Sequence, residues 1–211
     1  MAIAGTRPRG ATAAQVLIAE DTIETMAIAG TRPRSATTAA QDAELEEELV
    51  ASAKDNYENE DNYELEVTAR YIQERVGAVA QDISTSDIFV LKLRHVQHLA
   101  RRIRAVRRPS DKDGQTFIGL LQTLNPTPAV CGESRPVATE FIRRQERFDR
   151  GFYGGPVGFV SSVSCEFAVG IRSVLCEPRA LHVYAGAGIV PGSDPDSEWA
   201  ETDHKMRPIL Q

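Results

Sequence analysis

Two pairs of acidic residues have the spacing of a divalent-cation site. Asp55 and Glu58 stand three residues apart, as do Glu198 and Glu201, so the members of each pair share one face if their segment is helical. Carboxylate oxygens are preferred ligands of Mg²⁺, which usually also keeps several water molecules. The two pairs therefore predict a magnesium site if their helices converge. The alternative, which is commoner for any single pair, is two unrelated exposed helix faces.

A positive charge and a set of glycines indicate an anionic ligand nearby. Arg172 lies within CEFAVGIRSVL (165–175), which alternates as a strand does. A charge among apolar residues needs an anionic partner, because an unpaired buried charge is costly. The glycines of FDRGFYGGPVGF (148–159) and YAGAGIV (184–190) allow a positive φ or a close backbone approach. We therefore expect the ligand contacts to concentrate between residues 124 and 205.

Apolar periodicity places these groups on an α+β framework. The segment 16–30 predicts a strand or hairpin arm that ends in a turn at Gly30. Further strands are predicted, in antiparallel order, at 88–93, 154–163, 166–175 and 180–185. Helices are predicted at 42–53, 54–79, 116–124 and 134–151, and a closing helix is capped by Ser193 or Asp194 with Pro195 in its first turn. The predicted apolar stripes are Leu65, Ile72, Val76 and Val79 on the second helix, and Ala138, Phe141, Ile142 and Phe148 on the fourth.

Composition excludes several classes of protein. The 211 residues carry a net charge of −6, which argues against a generally basic nucleic-acid binder. The basic run RRIRAVRR (101–108) is predicted to be the solvated face of a helix rather than a phosphate or RNA patch. No apolar run reaches the length of a membrane span. Three cysteines without metal-ligand spacing predict free thiols in a reducing compartment, the cytoplasm or, as the alternative, the plastid stroma.

The peptide MAIAGTRPR occurs twice, at 1–9 and at 26–34. Two copies are too few for a solenoid, which needs about three repeats to bury a continuous core. We interpret the first copy as a local duplication or a gene-model artefact. It predicts a weakly packed arm over residues 1–25, followed by a main domain over residues 26–211.

Five motifs in the second half of the chain resemble the C-terminal part of the catalytic domain of chorismate-utilising enzymes. In chain order they are PTPAVCG, FDRGFYGGPVG, FAVGIRS, YAGAGIV and SDPDSEWAETDHK. PTPAVCG is similar to the isochorismate synthase branch. The resemblance implies two packed, mostly antiparallel sheets with helices outside. It also implies Mg²⁺-dependent conversion of chorismate to isochorismate, toward menaquinone, phylloquinone or salicylate-type products.

The resemblance also implies a role for each matching residue. Glu58 and Glu201 would ligate Mg²⁺ directly, with Asp55 and Glu198 completing the site. The residues that would contact chorismate are Gly30 and Thr31 in a Gly-Thr turn, His98 near the ring, Tyr153 and Arg172 at the enolpyruvyl carboxylate, and Gly186, Gly188 and Lys205.

Some features of the family pattern do not occur in this sequence. The family's water-activating Lys and its acid in a Ser-Pro-Glu stretch lie upstream of the Gly-Thr turn, and this chain has no Ser-Pro-Glu. Met26 stands where the family often has Glu, and we assign no catalysis to the nearby Glu24. We therefore expect 26–211 to be a partial catalytic domain with little or no turnover alone, and an open sheet edge that a partner chain would cover. The alternatives are an anthranilate or salicylate synthase, a non-catalytic chorismate- or protein-binding paralogue, and an incomplete gene model.

Overall fold

The computed structural model describes residues 15–19, 21–33, 43–44, 46–51, 60–93, 96–108 and 117–210. Nine strands occur in these ranges: β1 Gln15–Ala19, β2 Thr22–Pro33, β3 Ala80–Thr85, β4 Phe89–Lys92, β5 Val96–Arg107, β6 Pro156–Val160, β7 Ser164–Val169, β8 Ser173–Glu177 and β9 Ala180–Tyr184. The helices are α1 Glu60–Gly77, α2 Phe117–Leu124, α3 Pro128–Cys131, α4 Arg135–Gln145 and α5 Pro195–Leu210. Residues 43–44 and 46–51 are also helical.

The strands form two antiparallel sheets. The larger has seven strands in the order β3-β5-β2-β1-β7-β6, with β4 also paired to β5, and the smaller pairs β8 with β9. The predicted α+β class with two antiparallel sheets and helices is confirmed. The predicted strand at 16–30 is a hairpin, because β1 and β2 pair across a short turn with Ala19 opposite Thr22.

The core joins alternate residues of the large sheet to the apolar side of α1. Leu65, Ile72 and Val76 of α1 are at most 2% exposed, and they share one buried cluster with Ile18 of β1 and Ile103 of β5. Each fully buried Leu or Ile contributes about 1.5–3 kcal/mol through removal of apolar surface from water. The predicted stripe is confirmed for these three residues, and Val79, which lies just beyond the end of the helix, is buried as well. Packing of α1 on β2 and β5 holds the first turn of α1 in a fixed position against the sheet.

The basic run 101–108 lies mainly in strand β5, so the prediction of a helix there is wrong. Ile103 and Ala105 are buried, whereas Arg102 and Arg104 are exposed, which is the period of two of a half-buried strand. Both arginines form ion pairs with Glu24 on the neighbouring strand β2. The cross-strand acid explains why a strand tolerates so many like charges.

The predicted apolar stripe on α4 does not face a core. The helix contains no buried residue, and Phe141 is 64% exposed. Phe148, also assigned to this stripe, lies beyond the last helical residue and is 54% exposed. Periodicity alone predicted burial, but α4 packs against α3 rather than over the sheet.

Helix α5 begins with the cap that the sequence predicts. The Asp194 carboxylate accepts a hydrogen bond from the backbone N–H of Ser197 at 2.9 Å, which confirms the predicted cap of α5 with Pro195 in its first turn. Cys131, Cys165 and Cys176 are free thiols. No helix in the described part of the chain is long and apolar enough to cross a membrane. The division into 1–25 and 26–211 stays a prediction; within the first segment, β1 pairs with both β2 and β7.

Candidate functional site

The site begins at an irregularity in strand β2. The register between β2 and β5 shifts between Ala29 and Arg32, and Gly30 in the irregular segment has φ = +63°. His98 of β5 faces this point, with its Nδ1 atom 2.7 Å from the Gly30 carbonyl oxygen and 3.4 Å from Oγ1 of Thr31. Because the carbonyl only accepts hydrogen bonds, Nδ1 carries the proton and Nε2 of the neutral imidazole is an acceptor.

The electrostatic surroundings keep His98 neutral. Burial lowers the pKa of His98, and the charges of Arg172 and Lys205 lower it further, against the opposing effects of the Gly30 hydrogen bond and of Glu201. The predicted residues Gly30, Thr31 and His98 are thus brought together at one end of the β2–β5 pair. Their arrangement offers a hydrogen-bond acceptor to a ligand hydroxyl.

The first turns of α1 place two acidic residues at the same point. A Cβ on Gly30 would lie 2.6 Å from Cγ of Asp61, so the carboxylate sits directly against the glycine. Asp61 also accepts a hydrogen bond from Arg32 at 2.8 Å. Glu64 follows three residues later, on the same side of the helix. Asp61 was not among the predicted site residues.

Glu64 is the most perturbed carboxyl of the site. Burial raises its pKa from 4.5 to about 7, the Asp61 and Glu201 carboxylates raise it as well, and Lys205 and a backbone hydrogen bond with Gly30 oppose the shift. The predicted acids Asp55 and Glu58 lie outside the described residues. A signal for Glu64 was present in the sequence, because the tetrapeptide DNYE occurs at 55–58 and again at 61–64. Sequence reasoning considered only the first copy.

Helix α5 brings the second acid pair toward the first. Glu201 forms an ion pair with Lys205 at 3.1 Å, and Lys205 donates a hydrogen bond to the Gly186 carbonyl at 2.9 Å. Burial raises the pKa of Glu198, and the nearby Glu201 and Glu60 carboxylates raise it too. Acidic groups from α1 and α5 therefore lie close enough to influence one another's protonation.

The loop between β9 and α5 passes next to these charged side chains, and it contacts the site through two glycines, Gly186 and Gly188. A Cβ on Gly188 would lie 2.8 Å from Oε1 of Glu64, and a Cβ on Gly186 would lie 2.6 Å from the hydroxyl oxygen of Tyr153. Both positions exclude a larger residue without a shift of those side chains. The two glycines hold the backbone of the loop between Glu64 on one side and Tyr153 on the other.

Arg172 occupies a strained position beside these groups. It has φ = +50°, a left-handed conformation that is uncommon for a residue with a Cβ and is often kept at functional sites. Burial lowers its pKa, while the charge of Glu201 raises it. Within the described residues, no carboxylate forms an ion pair with its half-buried guanidinium. The anionic partner expected from the sequence is therefore not supplied by this part of the protein.

Tyr153 completes the surface next to Gly186. Its ring stacks on Tyr184 with centroids 5.7 Å apart and an interplanar angle of 22°. Burial raises the pKa of Tyr153, so its hydroxyl stays protonated and can donate a hydrogen bond. Tyr153, Arg172, Gly186, Gly188 and Lys205 all lie on the segment from the α4–β6 connection to α5, as the sequence motifs suggested.

The acid cluster has the chemistry of a cation site. Among the residues that the structure describes, no three His, Cys, Asp or Glu side chains already stand in a metal-binding group. However, Oε1 of Glu60 is buried without a hydrogen-bond partner, and a Cβ on Gly192 would lie 3.4 Å from it. Burial is the largest cause of the raised pKa values of Glu64 and Glu198, and the charges of Asp61, Glu60 and Glu201 add to them, so several negative charges lie close together here. The donors are all oxygen atoms, which fits Mg²⁺.

Comparison with known proteins agrees with this arrangement. Residues 10–211 match the family described as Chorismate binding enzyme. The chain belongs to this family. The resemblance inferred from the five motifs is thereby confirmed.

Named relatives include isochorismate synthases. The chain is 37% identical over 172 residues to the chloroplastic isochorismate synthase of Catharanthus roseus, a match that covers 81% of this chain and 28% of the relative. It is 38% identical over 174 residues to isochorismate synthase MenF of Escherichia coli, covering 81% of this chain and 38% of MenF. The solved structure of MenF, the menaquinone-specific isochorismate synthase from Escherichia coli, superposes with a TM-score of 0.78 at 34% identity, over 93% of this chain and 44% of that chain.

The family also contains a similar protein of another activity. The chain is 34% identical over 208 residues to anthranilate synthase component 1 of Saccharolobus solfataricus, covering 98% of this chain and 42% of the relative. The chain thus spans between 28% and 42% of the length of these three curated relatives. Proteins with either of these two activities are therefore similar to this chain, and membership in the family does not distinguish between them.

Proposed function

We propose that the site binds chorismate with Mg²⁺ and belongs to an isochorismate synthase. The observation that carries the proposal is Arg172, a half-buried, strained cation without an ion-pair partner in the described chain, beside an acid cluster with excess negative charge. A ligand with carboxylates, bound together with a divalent cation, would satisfy both groups at once. The isochorismate synthases among the relatives favour this reaction.

In this proposal Glu64 of α1 and Glu201 of α5 hold Mg²⁺, with Glu198 beside them. When bound, the ion would neutralise the ring carboxylate of chorismate and the charge that develops as the C4 oxygen leaves. The ion would also offset the repulsion from Asp61 and Glu201, which adds to the effect of burial in raising the pKa of Glu64. Glu64 carries the role that the first DNYE copy was predicted to carry through Glu58. The residues Asp55 and Glu58 remain predictions.

The other groups surround the organic part of the ligand. Arg172 pairs with the enolpyruvyl carboxylate, and the protonated hydroxyl of Tyr153 donates a second hydrogen bond to it. Backbone N–H groups near Gly186 and Gly188 face a carboxylate, with Lys205 adding positive charge. His98 accepts a hydrogen bond at Nε2 from a ligand hydroxyl, and Gly30 and Thr31 hold the imidazole in that tautomer.

The acid and base of the reaction are not assigned to residues of this chain. The sequence has no Ser-Pro-Glu, and Glu24 is held in surface ion pairs with Arg102 and Arg104. We therefore expect binding without appreciable turnover by this chain alone, because general acid–base catalysis needs both groups.

We further propose that additional polypeptide covers strand β6. All five residues of β6 are exposed, and β6 ends the strand order of the large sheet. The segment PVGFVSSV (156–163) carries no charged side chain, whereas edge strands that face water are usually protected by charge.

We place the protein in a reducing compartment, either the cytoplasm or the plastid stroma, because all three cysteines are free.

An anthranilate synthase activity is the second candidate, supported by the relative that matches 98% of this chain. The two activities differ in their products. Ammonia-dependent formation of anthranilate with release of pyruvate would favour this candidate over isochorismate formation. A non-catalytic chorismate-binding protein would give neither product.

The deciding experiment is calorimetric titration of chorismate into the protein with and without Mg²⁺, with reaction products separated by chromatography. We expect Mg²⁺-dependent binding that Glu64→Gln and Glu201→Gln each weaken at least tenfold, since each removes a metal ligand. Glu58→Gln tests the first DNYE copy: unchanged binding would favour Glu64 as the ligand, and a comparable loss would favour the assignment of Glu58 made from the sequence. Glu177→Gln, an exposed acid on β8, is the control. Equal binding by all variants would overturn the proposed metal site, and absence of chorismate binding by the unmodified chain would overturn the proposed ligand.

A further inference from the structure

Arg150 is a half-buried arginine with four polar and aromatic contacts that the proposed ligand binding does not use. Its Nε and Nη2 atoms donate to the two carboxylate oxygens of Glu146 at 2.7 and 2.6 Å. Its Nη1 atom donates to the Val130 carbonyl at 2.7 Å. Its guanidinium carbon lies 5.5 Å from the centre of the Tyr153 ring. Arg150 therefore ties the end of α4 to α3 and to the tyrosine of the site.

Helix α4, which ends just before Glu146, contains a pair with the same spacing but without these further contacts. Glu140 and Arg144 are also four residues apart, and their ion pair measures 2.6 Å. The Arg144 side chain is 71% exposed, whereas the side chains of Arg150 and Glu146 are 26% and 28% exposed. Exposed pairs of this kind add little to stability, whereas a bidentate pair shielded from water is stronger and fixes the plane of the guanidinium.

A fixed guanidinium plane has a direct consequence for Tyr153. The Tyr153 ring contacts the Arg150 guanidinium and also stacks on the ring of Tyr184. In this arrangement the Tyr153 hydroxyl lies close to Gly186, the residue whose carbonyl also accepts the hydrogen bond from Lys205. Without Arg150, the stacking on Tyr184 alone would leave the ring free to tilt, because a single aromatic contact is worth little.

We propose that Arg150 is a positioning residue that acts through Tyr153. Glu146 and the Val130 carbonyl hold the guanidinium, and the guanidinium holds the phenol in place beside Gly186. The consequence for chorismate rests on the proposed function, in which Tyr153 binds the enolpyruvyl carboxylate. The effect on the ring itself does not depend on any ligand.

Lysine is not expected to replace Arg150. An ammonium group keeps the positive charge but lacks the planar fork that binds Glu146 in a bidentate manner and lies along an aromatic ring. Loss of a half-buried cation–π contact should weaken chorismate binding roughly fivefold to tenfold. Arg150→Lys and Arg150→Met should therefore behave alike.

The test uses protein labelled with ¹³C on the tyrosine rings. The chain has five tyrosines, so five sets of ring signals are expected, and Tyr153→Phe assigns the set from Tyr153. We expect Arg150→Met and Arg150→Lys to shift and broaden the Tyr153 and Tyr184 signals. Glu140→Gln is the matched control and should leave them in place. Glu146→Gln keeps the arginine but removes its bidentate partner, and it should shift the same signals by a smaller amount.

Chorismate affinity is then measured for each variant and for the double variant Arg150→Met with Tyr153→Phe. If Arg150 acts through Tyr153, the double variant binds no more weakly than Tyr153→Phe alone. Unmoved Tyr153 signals in the folded Arg150 variants would overturn the proposal, as would fully additive losses of affinity. If Arg150→Met and Arg150→Lys do not fold, the Glu146→Gln spectrum tests the proposal: shifted Tyr153 signals would support it, and unmoved signals would overturn it. If the unmodified chain binds no chorismate, the proposed function fails while the ring signals still decide the role of Arg150.

Discussion

Single residues of this site are held in states that are unfavourable without a ligand. Glu64 is a half-buried acid among other acids, Arg172 is a cation with a left-handed backbone, and His98 is a neutral imidazole with a fixed tautomer. Sequence reasoning found Arg172 and His98 because each lies in a distinctive motif. It considered Glu58 of the first DNYE copy, which lies outside the described residues, and did not consider Glu64, because the approach of the second copy to Gly30 depends on the fold.

The raised pKa of Glu64 predicts a pH-dependent stability. Its folded-state pKa is about 7 against an ordinary value of 4.5. Between these values the folded protein retains a proton that the unfolded chain has released, so the free energy of unfolding falls as the pH rises through this window. The contribution of Glu64 to this loss is on the order of 2–3 kcal/mol, complete above about pH 7.

Urea unfolding in EDTA at pH 5 and at pH 8 measures this difference. We expect Glu64→Gln to reduce the loss of stability between the two pH values, because glutamine does not titrate. Saturating Mg²⁺ should recover stability at pH 8 in the unmodified protein more than in Glu64→Gln. Glu74→Gln, exposed on the same helix, is the control. The explanation fails if Glu64→Gln keeps the full pH dependence.

The left-handed backbone of Arg172 allows the effect of a substitution on stability to be distinguished from its effect on chorismate binding. Alanine at a left-handed position costs roughly 1–2 kcal/mol relative to its right-handed state, and glycine avoids most of this cost. We therefore expect Arg172→Gly to be about 1 kcal/mol more stable than Arg172→Ala, while both lose chorismate binding to the same extent. Thermal unfolding and calorimetric titration of the two variants check this. Equal stability would show that the position is not strained, and retained binding would remove Arg172 from the site.

At the level of elements, α1, α5 and the β2–β5 pair bring the site residues together. The local signals for α5 were readable in the sequence, including the Asp194 cap and Pro195 in the first turn. The strand β5 was harder to predict, because five arginines among its twelve residues and the following residue obscure the alternation. Only pairing with β2 reveals that Glu24 balances two of those charges.

The cap of α5 is expected to contribute to the placement of Glu198 and Glu201. Asp194→Ala removes the acceptor for the Ser197 N–H and should lower the free energy of unfolding by about 1 kcal/mol. It should also weaken Mg²⁺-dependent chorismate binding, since the acid pair lies in the first two turns of the helix. Asp203→Ala, at an exposed position within α5, is the control for helix propensity and charge. A larger loss of stability in the control would contradict the role assigned to the cap.

At the level of the whole molecule, the large sheet ends in an exposed, uncharged strand. All of β6 is exposed, and Phe159 is 49% exposed. The solved MenF chain is more than twice as long as the part that this chain covers. An open apolar edge of this kind favours pairing with a further strand.

We expect the isolated chain to self-associate through β6. Val157→Lys and Phe159→Lys each place a charge on the edge strand and should raise the monomer fraction. Analytical ultracentrifugation over a range of protein concentrations measures this fraction. Leu181→Lys, which adds the same charge at an exposed apolar residue of β9, is the control. Equal effects of all three substitutions would indicate general charge repulsion rather than edge pairing.

The amino-acid sequence by itself determined the features that depend on neighbouring residues. These include the α+β class, the apolar face of α1, the cap of α5 and the motifs that identify the family. The tertiary structure decided what depends on residues far apart in the chain: that Glu64 lies beside Gly30 and Gly188, that Arg172 has no ion-pair partner among the described residues, and that no apolar residue of α4 is buried. The reason is physical. Periodicity and capping act over one or two turns, whereas burial, pKa shifts and unpaired charges depend on which distant elements pack together.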